Sequence, residues 1–172
     1  INNFLPLLFL IIQTDYGISY EMLGRLIFFN FCVQIVVDVL SVKIVKLLGY
    51  RKTIILAHLC AAAGLLMLGV LPMLWSNVYA AIMLSILVYA AGSGIIEVIL
   101  SPLIEYLPSE NKGGSMCFLH SFYCWGQVLT VIVTTVLLKT VFNENWMLLA
   151  VCWAAVPFIN MFSFFNAPLV IP

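Results

Sequence analysis

The sequence predicts an all-α membrane protein: a six-transmembrane-helix bundle whose first helix is truncated. Three observations carry that prediction. Hydrophobic residues make up 65% of the 172 and charged residues 8%. A soluble domain holds about 45–50% and about 25% respectively, so this apolar surface is too large for a water-soluble core to hide. The apolar residues also fall in runs near the roughly 20 residues that a helix needs to cross the hydrocarbon layer, and turn-rich polar segments separate the runs. Finally, a formal net charge of zero offers no basic surface to nucleic acid. The expected surroundings are a lipid bilayer, and the expected location is the cell membrane, crossed several times.

The first apolar run, 1–12, is too short to cross alone and reads as the closing part of a span. With no initiator Met before it, the chain is expected to start late. Gln13-Thr14-Asp15-Tyr16-Gly17 follows as a polar turn. The second span covers 23–40. Within it Asn30, Gln34, Asp38 and Ser41 recur at intervals that put them on one helical face. Lipid offers such a stripe no hydrogen bonds, so it faces either a water-filled cavity or a helix–helix seam. The stretch Lys43-Ile44-Val45-Lys46-Leu47-Leu48-Gly49-Tyr50-Arg51-Lys52 holds four of the seven Lys and Arg residues and is expected as a cytoplasmic loop.

The third span, 53–74, carries His58 as its strong polar group, expected to be packed or interfacial rather than a ligand. Its run Ala61-Ala62-Ala63-Gly64 suits close contact with a neighbour. The fourth span, 78–107, is longer than one crossing needs and is expected to tilt, project or bend near Pro102. In it Ala90, Gly94, Glu97 and Ser101 are assigned a common face. A charge at the bilayer centre costs about 2.5–3.5 kcal/mol on insertion scales, which makes Glu97 a functional candidate. The alternative is a structural acid paired with a donor on another span. Counted from Val78, Glu97 lies roughly 27–29 Å along the helix, in the inner half of the membrane.

A turn-rich loop from Leu107 to Gly114 leads to the fifth span, 115–138, where His120, Cys124, Gln127 and Thr134 share a face. Lys139, Asn143 and Glu144 mark an external loop before the sixth span, 146–165. Lys43, Lys46, Arg51, Lys52 and Lys112 fall on one side and Arg25 and Lys139 on the other, which predicts a cytoplasmic N-terminus. Cys32, Cys60, Cys117, Cys124 and Cys152 all lie inside apolar runs, without metal-ligand spacing or a disulfide framework. They read as small buried hydrophobes. No metal and no cofactor is expected.

Polar faces on the second, fourth and fifth spans, beside nearly apolar third and sixth spans, suit helices that surround an aqueous path. Two stretches sharpen this. Gly49-Tyr50-Arg51-Lys52 fits the end of a loop pattern, Gly-x-x-x-Asp-Arg/Lys-x-Gly-Arg/Lys-Arg/Lys, departing from it at Val42 and Lys46. Gly92, Gly94, Glu97 and Pro102 fit a fourth-span pattern, Gly-x-Gly-x-x-Glu-x-x-x-Asn-Pro, with Ser101 at the asparagine. These resemble the major facilitator superfamily, and within it the fucose/glucose permease-like sugar:proton symporters. His120-Ser121-Phe122-Tyr123-Cys124-Trp125-Gly126 resembles that family's fifth-span pattern.

The resemblance implies one half of a twelve-helix fold, with a C-terminal six-helix half as the partner. It implies proton-coupled movement of a small polar solute, a sugar, by alternating access, with Glu97 as the proton-coupling residue. Asn30, Gln34, Ser101, His120 and Gln127 would bond solute hydroxyls, and Trp125 and Tyr123 would offer ring faces. Asp38, Gly49, Arg51 and Lys52 would form the gating loop. The family's first-span acid falls in a part of the span that the sequence lacks. Two other readings stand beside this one: a membrane-embedded hydrolase using Ser93 with His120, which needs the two within hydrogen-bond reach, and a non-transporting receptor or assembly partner.

Overall fold

The structure, a computed structural model, describes residues 4–106, 108 and 111–166. Among the described residues it consists of helices and short connections, with no strand. Seven helices follow in order: α1 (Phe4–Leu7), α2 (Phe9–Tyr16), α3 (Tyr20–Leu48), α4 (Tyr50–Leu74), α5 (Val78–Tyr106), α6 (Lys112–Thr140) and α7 (Trp146–Asn166). Residues 1–3 of the first predicted span, and Leu107, Ser109 and Glu110 between the fourth and fifth, lie outside the described residues.

Among the described residues, four helices are long and apolar enough to cross a membrane: α4, α5, α6 and α7, the last over Trp146–Phe165. They contain or nearly match the predicted third to sixth spans. The protein is therefore an all-α chain of membrane-spanning composition, with four such helices rather than the predicted six. The first segment falls short because its helix breaks at Leu8 into pieces of four and eight residues. The second predicted span lies within α3, whose apolar run Arg25, Asn30, Gln34 and Asp38 interrupt.

The chain turns where the residues require it. Gly17 closes α2 with φ 64°, and its N–H donates to the carbonyl of Gln13. Ser19 caps α3 by accepting from the Met22 amide, and Asn111 caps α6 by accepting from Gly114. The basic stretch expected as a loop is instead helical on both sides of Gly49, the one residue between α3 and α4. Lys, Leu and Val continue a helix without a breaker. Only Gly49, at φ 77° and ψ 161°, takes a conformation that needs a missing Cβ.

α4 is the centre of the bundle, packed between α5 and α7, and α3 lies along the far side of α5. Close approach rests on small residues. A Cβ on Gly92 would come 2.5 Å from both the Ala57 carbonyl and the Ala61 amide of α4. A Cβ on Gly69 would meet the Met147 carbonyl of α7 at 2.6 Å. Lipid tails are as apolar as side chains, so van der Waals fit of this kind is what holds membrane helices together. Buried Tyr89, Leu68 and Ile86 fill the space around the contact. Tyr16 meets buried Trp146 edge to face at 6.4 Å, which joins α2 to α7.

The outer surface is apolar too. Phe28, Phe31, Ile35 and Val39 form one exposed ridge of α3, and Phe158, Ile159 and Phe162 another on α7, as lipid contact demands. α6 stands apart, touching α5, α1 and α7 only lightly.

Candidate functional site

The site is built on three consecutive small residues of α5 that face three different ways. Gly92 abuts α4. Gly94 abuts α3, where a Cβ would lie 3.2 Å from Asp38 Oδ1. Ser93 opens toward α6 and lines a cavity of about 530 Å³ between α5 and α6. Successive helical residues point about 100° apart, so one short run packs two helices and leaves a hydroxyl for the third side.

The polar groups of the cavity come in register. α5 contributes Ser93, Glu97 and Ser101, and α6 contributes His120, Gln127 and Thr130, with Tyr123 beside them. The expected α5 face of Ala90, Gly94, Glu97 and Ser101 is thus corrected. Ala90 is fully buried and Gly94 is against α3, so the cavity register is 93, 97 and 101. Glu97 is exposed to this space, without a salt bridge among the described residues. A carboxylate, an imidazole, an amide and four hydroxyls around one volume can bond a polar solute from several sides, and 530 Å³ is within the usual range for small-molecule sites.

The structure brings together Glu97, Ser101, His120, Tyr123 and Gln127 of the expected site and leaves Asn30, Gln34 and Trp125 elsewhere. Trp125 is 72% exposed on the outer side of α6 and does not line the cavity. Asn30 and Gln34 are buried on α3 against α5. There Gln34 Nε2 donates to Ser93 Oγ at 3.1 Å, while Asn30 Oδ1 has no hydrogen-bond partner. The polar stripe of α3 is therefore a helix–helix seam, the second of the two arrangements open to it. Ser41 completes it by donating to its own helix at the Val37 carbonyl.

The expected gating residues also separate. Arg51 Nη1 donates to the Phe165 carbonyl at 3.0 Å and ties the start of α4 to the end of α7. Lys52 is exposed. Asp38 does not sit with them; it lies about 15 Å back along α3, against Gly94. His58 is packed, as expected, with Nδ1 2.8 Å from the Ile54 carbonyl and its ring 5.1 Å from that of Phe164.

Thr130 and Phe122 line the cavity without having been singled out. Thr130 was legible in principle, because Tyr123, Gln127 and Thr130 are spaced to share a helical face. Ser93 and His120 line the same cavity; Ser93 Oγ donates to the Ala90 carbonyl and accepts from Gln34. No family model matches the chain, and none of the curated proteins or solved structures compared with it does so either.

Proposed function

We propose that the chain is part of a secondary active transporter that moves a small polar solute, a sugar, across a membrane by alternating access with proton coupling. The observation that carries this reading is the convergence of Glu97, Ser101, His120 and Gln127 on one cavity between two helices of membrane-spanning composition. Lipid cannot satisfy such groups. A polar cavity between apolar helices is costly to keep unless something polar passes through it.

The chemistry follows from the side chains. His120, Gln127 and the hydroxyls of Ser93, Ser101 and Thr130 supply donors and acceptors to solute hydroxyls. Tyr123 and Phe122 supply ring faces for the apolar side of a sugar. Glu97, the acid of the cavity wall, is the group assigned to carry the coupled proton. The likeness of Gly92, Gly94, Glu97 and Pro102 to the fucose/glucose permease-like pattern supports the same assignment. On this reading α3 and the α1–α2 segment would supply two further crossings of a six-span bundle of the major facilitator type, and a second six-helix half completes the path.

Solute counterflow in reconstituted vesicles tests the proposal, using labelled glucose and fucose as probes. Counterflow is expected once the chain is reconstituted together with a second six-helix half, with proton-driven uptake lost in Glu97→Gln. No counterflow with either probe would favour a receptor or assembly role, and undiminished proton symport in Glu97→Gln would remove Glu97 from the mechanism.

A further inference from the structure

Asp38 is a half-buried acid that the proposed mechanism leaves unused. Its Oδ1 is buried and has no hydrogen-bond partner, and no salt bridge reaches it among the described residues. An acid that served as a helix clamp would be bonded, as Gln34 one turn away is bonded to Ser93. The space Asp38 occupies exists because residue 94 is glycine: a Cβ there would come 3.2 Å from Oδ1. Residues three apart on a helix have Cβ atoms about 5–6 Å apart, so the Glu97 Cβ is within about 9 Å of that oxygen.

We propose that Asp38 is a second proton-carrying carboxyl of the Glu97 site, coupled to Glu97 across the α3–α5 contact. Uncharged, the carboxyl fits a seam of apolar side chains and small residues. Charged, it needs water or a cation. On its own helix Asp38 has Gln34 and Ser41 on the same face, and Lys43 and Lys46 are exposed. From α5 it faces Gly94, with Ser93 and Glu97 on the neighbouring side. α4 brings Ile54 and Ala57 to the same junction, while its His58 is turned to Phe164 of α7. Its Cys60 opens with Cys32 on a separate apolar groove. Glu97 is thus the titratable group placed to sense the charge on Asp38. The Gln34–Ser93 bond links the two, since Ser93 belongs both to the seam and to the cavity wall. This inference takes its purpose from the transport reading, but its test does not depend on it.

The test is infrared spectroscopy of the carboxylic-acid C=O stretch across pH, on the whole chain in phosphatidylcholine nanodiscs. Isotope-labelled aspartate isolates the signal, because Asp15 and Asp38 are the two aspartates and Asp15 is exposed. Two titrating labelled bands are expected, one of them absent in Asp38→Asn. In Glu97→Gln the Asp38 midpoint should move to lower pH by about one unit, the size of a like-charge interaction over such a distance at an effective dielectric near 20. Glu97→Gln leaves the seam intact, so this arm stands even if Asp38→Asn does not fold. A single labelled band in the wild type, or an Asp38 midpoint unmoved in Glu97→Gln, would overturn the proposal. Counterflow, measured separately, decides the transport reading alone.

Discussion

Gly92 of α5 and Ala61 of α4 meet backbone to backbone, so closely that a Cβ on Gly92 would sit 2.5 Å from the Ala61 amide nitrogen. No side-chain rotation relieves a clash with main-chain atoms. Gly92→Ala should force α4 and α5 apart at a cost of about 1–3 kcal/mol. Gly24→Ala, in the open and inside α3, should instead gain about 0.5–1 kcal/mol, because it removes a helix-interior glycine. Thermal unfolding in detergent reads both. Equal effects of the two substitutions would contradict the packing described.

Gln34 and Ser93 form a side chain–side chain hydrogen bond across the α3–α5 seam. Such bonds in membrane proteins couple by about 0.6 kcal/mol on average, with a maximum near 1.7. A double-mutant cycle with Gln34→Ala and Ser93→Ala should return a coupling in that range. A value of zero would mean that the bond adds nothing to helix association.

Five free cysteines report on which surfaces are wet. Cys124 shares the polar face of α6 with His120 and Gln127, while Cys152 is exposed on α7 beside Leu148, Val156 and Ile159. A charged, water-soluble thiosulfonate should label Cys124 well before Cys152, since it reacts with thiolate, which needs water to form. A lipid-soluble maleimide should reach both. Faster aqueous labelling of Cys152 would place the water on the wrong side of the bundle.

The Arg51 bond to the Phe165 carbonyl holds the last described turn of α7 against the start of α4. Hydrogen bonds from charged donors contribute about 1.5–3 kcal/mol. Arg51→Ala should therefore speed amide exchange in that turn of α7 by at least about tenfold, while exchange near Trp146 stays unchanged. Uniform acceleration along α7 would point to loss of the whole helix contact instead.

The sequence was most readable where one physical cause acts alone. Apolar runs revealed α4 to α7 because hydrocarbon thickness sets their length, and Ala61-Ala62-Ala63-Gly64 announced a tight contact because small residues permit it. Less was readable where neighbours decide. Ser93 and Gly94 differ by one step around α5, and only the presence of α3 and α6 determines which of them lines a cavity with Glu97. Trp125 was expected beside the solute because it follows Tyr123 in a family-like pattern, yet two residues turn a helix by about 200°. The charges of Lys43 to Lys52 suggested a loop, but charge is compatible with helix, and only Gly49 interrupts it.

The packing of α7 onto α4 has a consequence in time. α4 and α5 are sequence neighbours and can dock as soon as both are inserted. The remaining face of α4, with Gly69 waiting for Met147 and Val151, stays uncovered until synthesis has passed through all of α6. Helices that insert one by one and associate afterwards would leave that face open to lipid or to a quality-control factor throughout the interval. α6 would then be a passenger in assembly, inserted before the helix that closes the bundle. A substitution in Met147 or Val151 should lower the yield of folded protein more than its effect on the finished bundle would suggest.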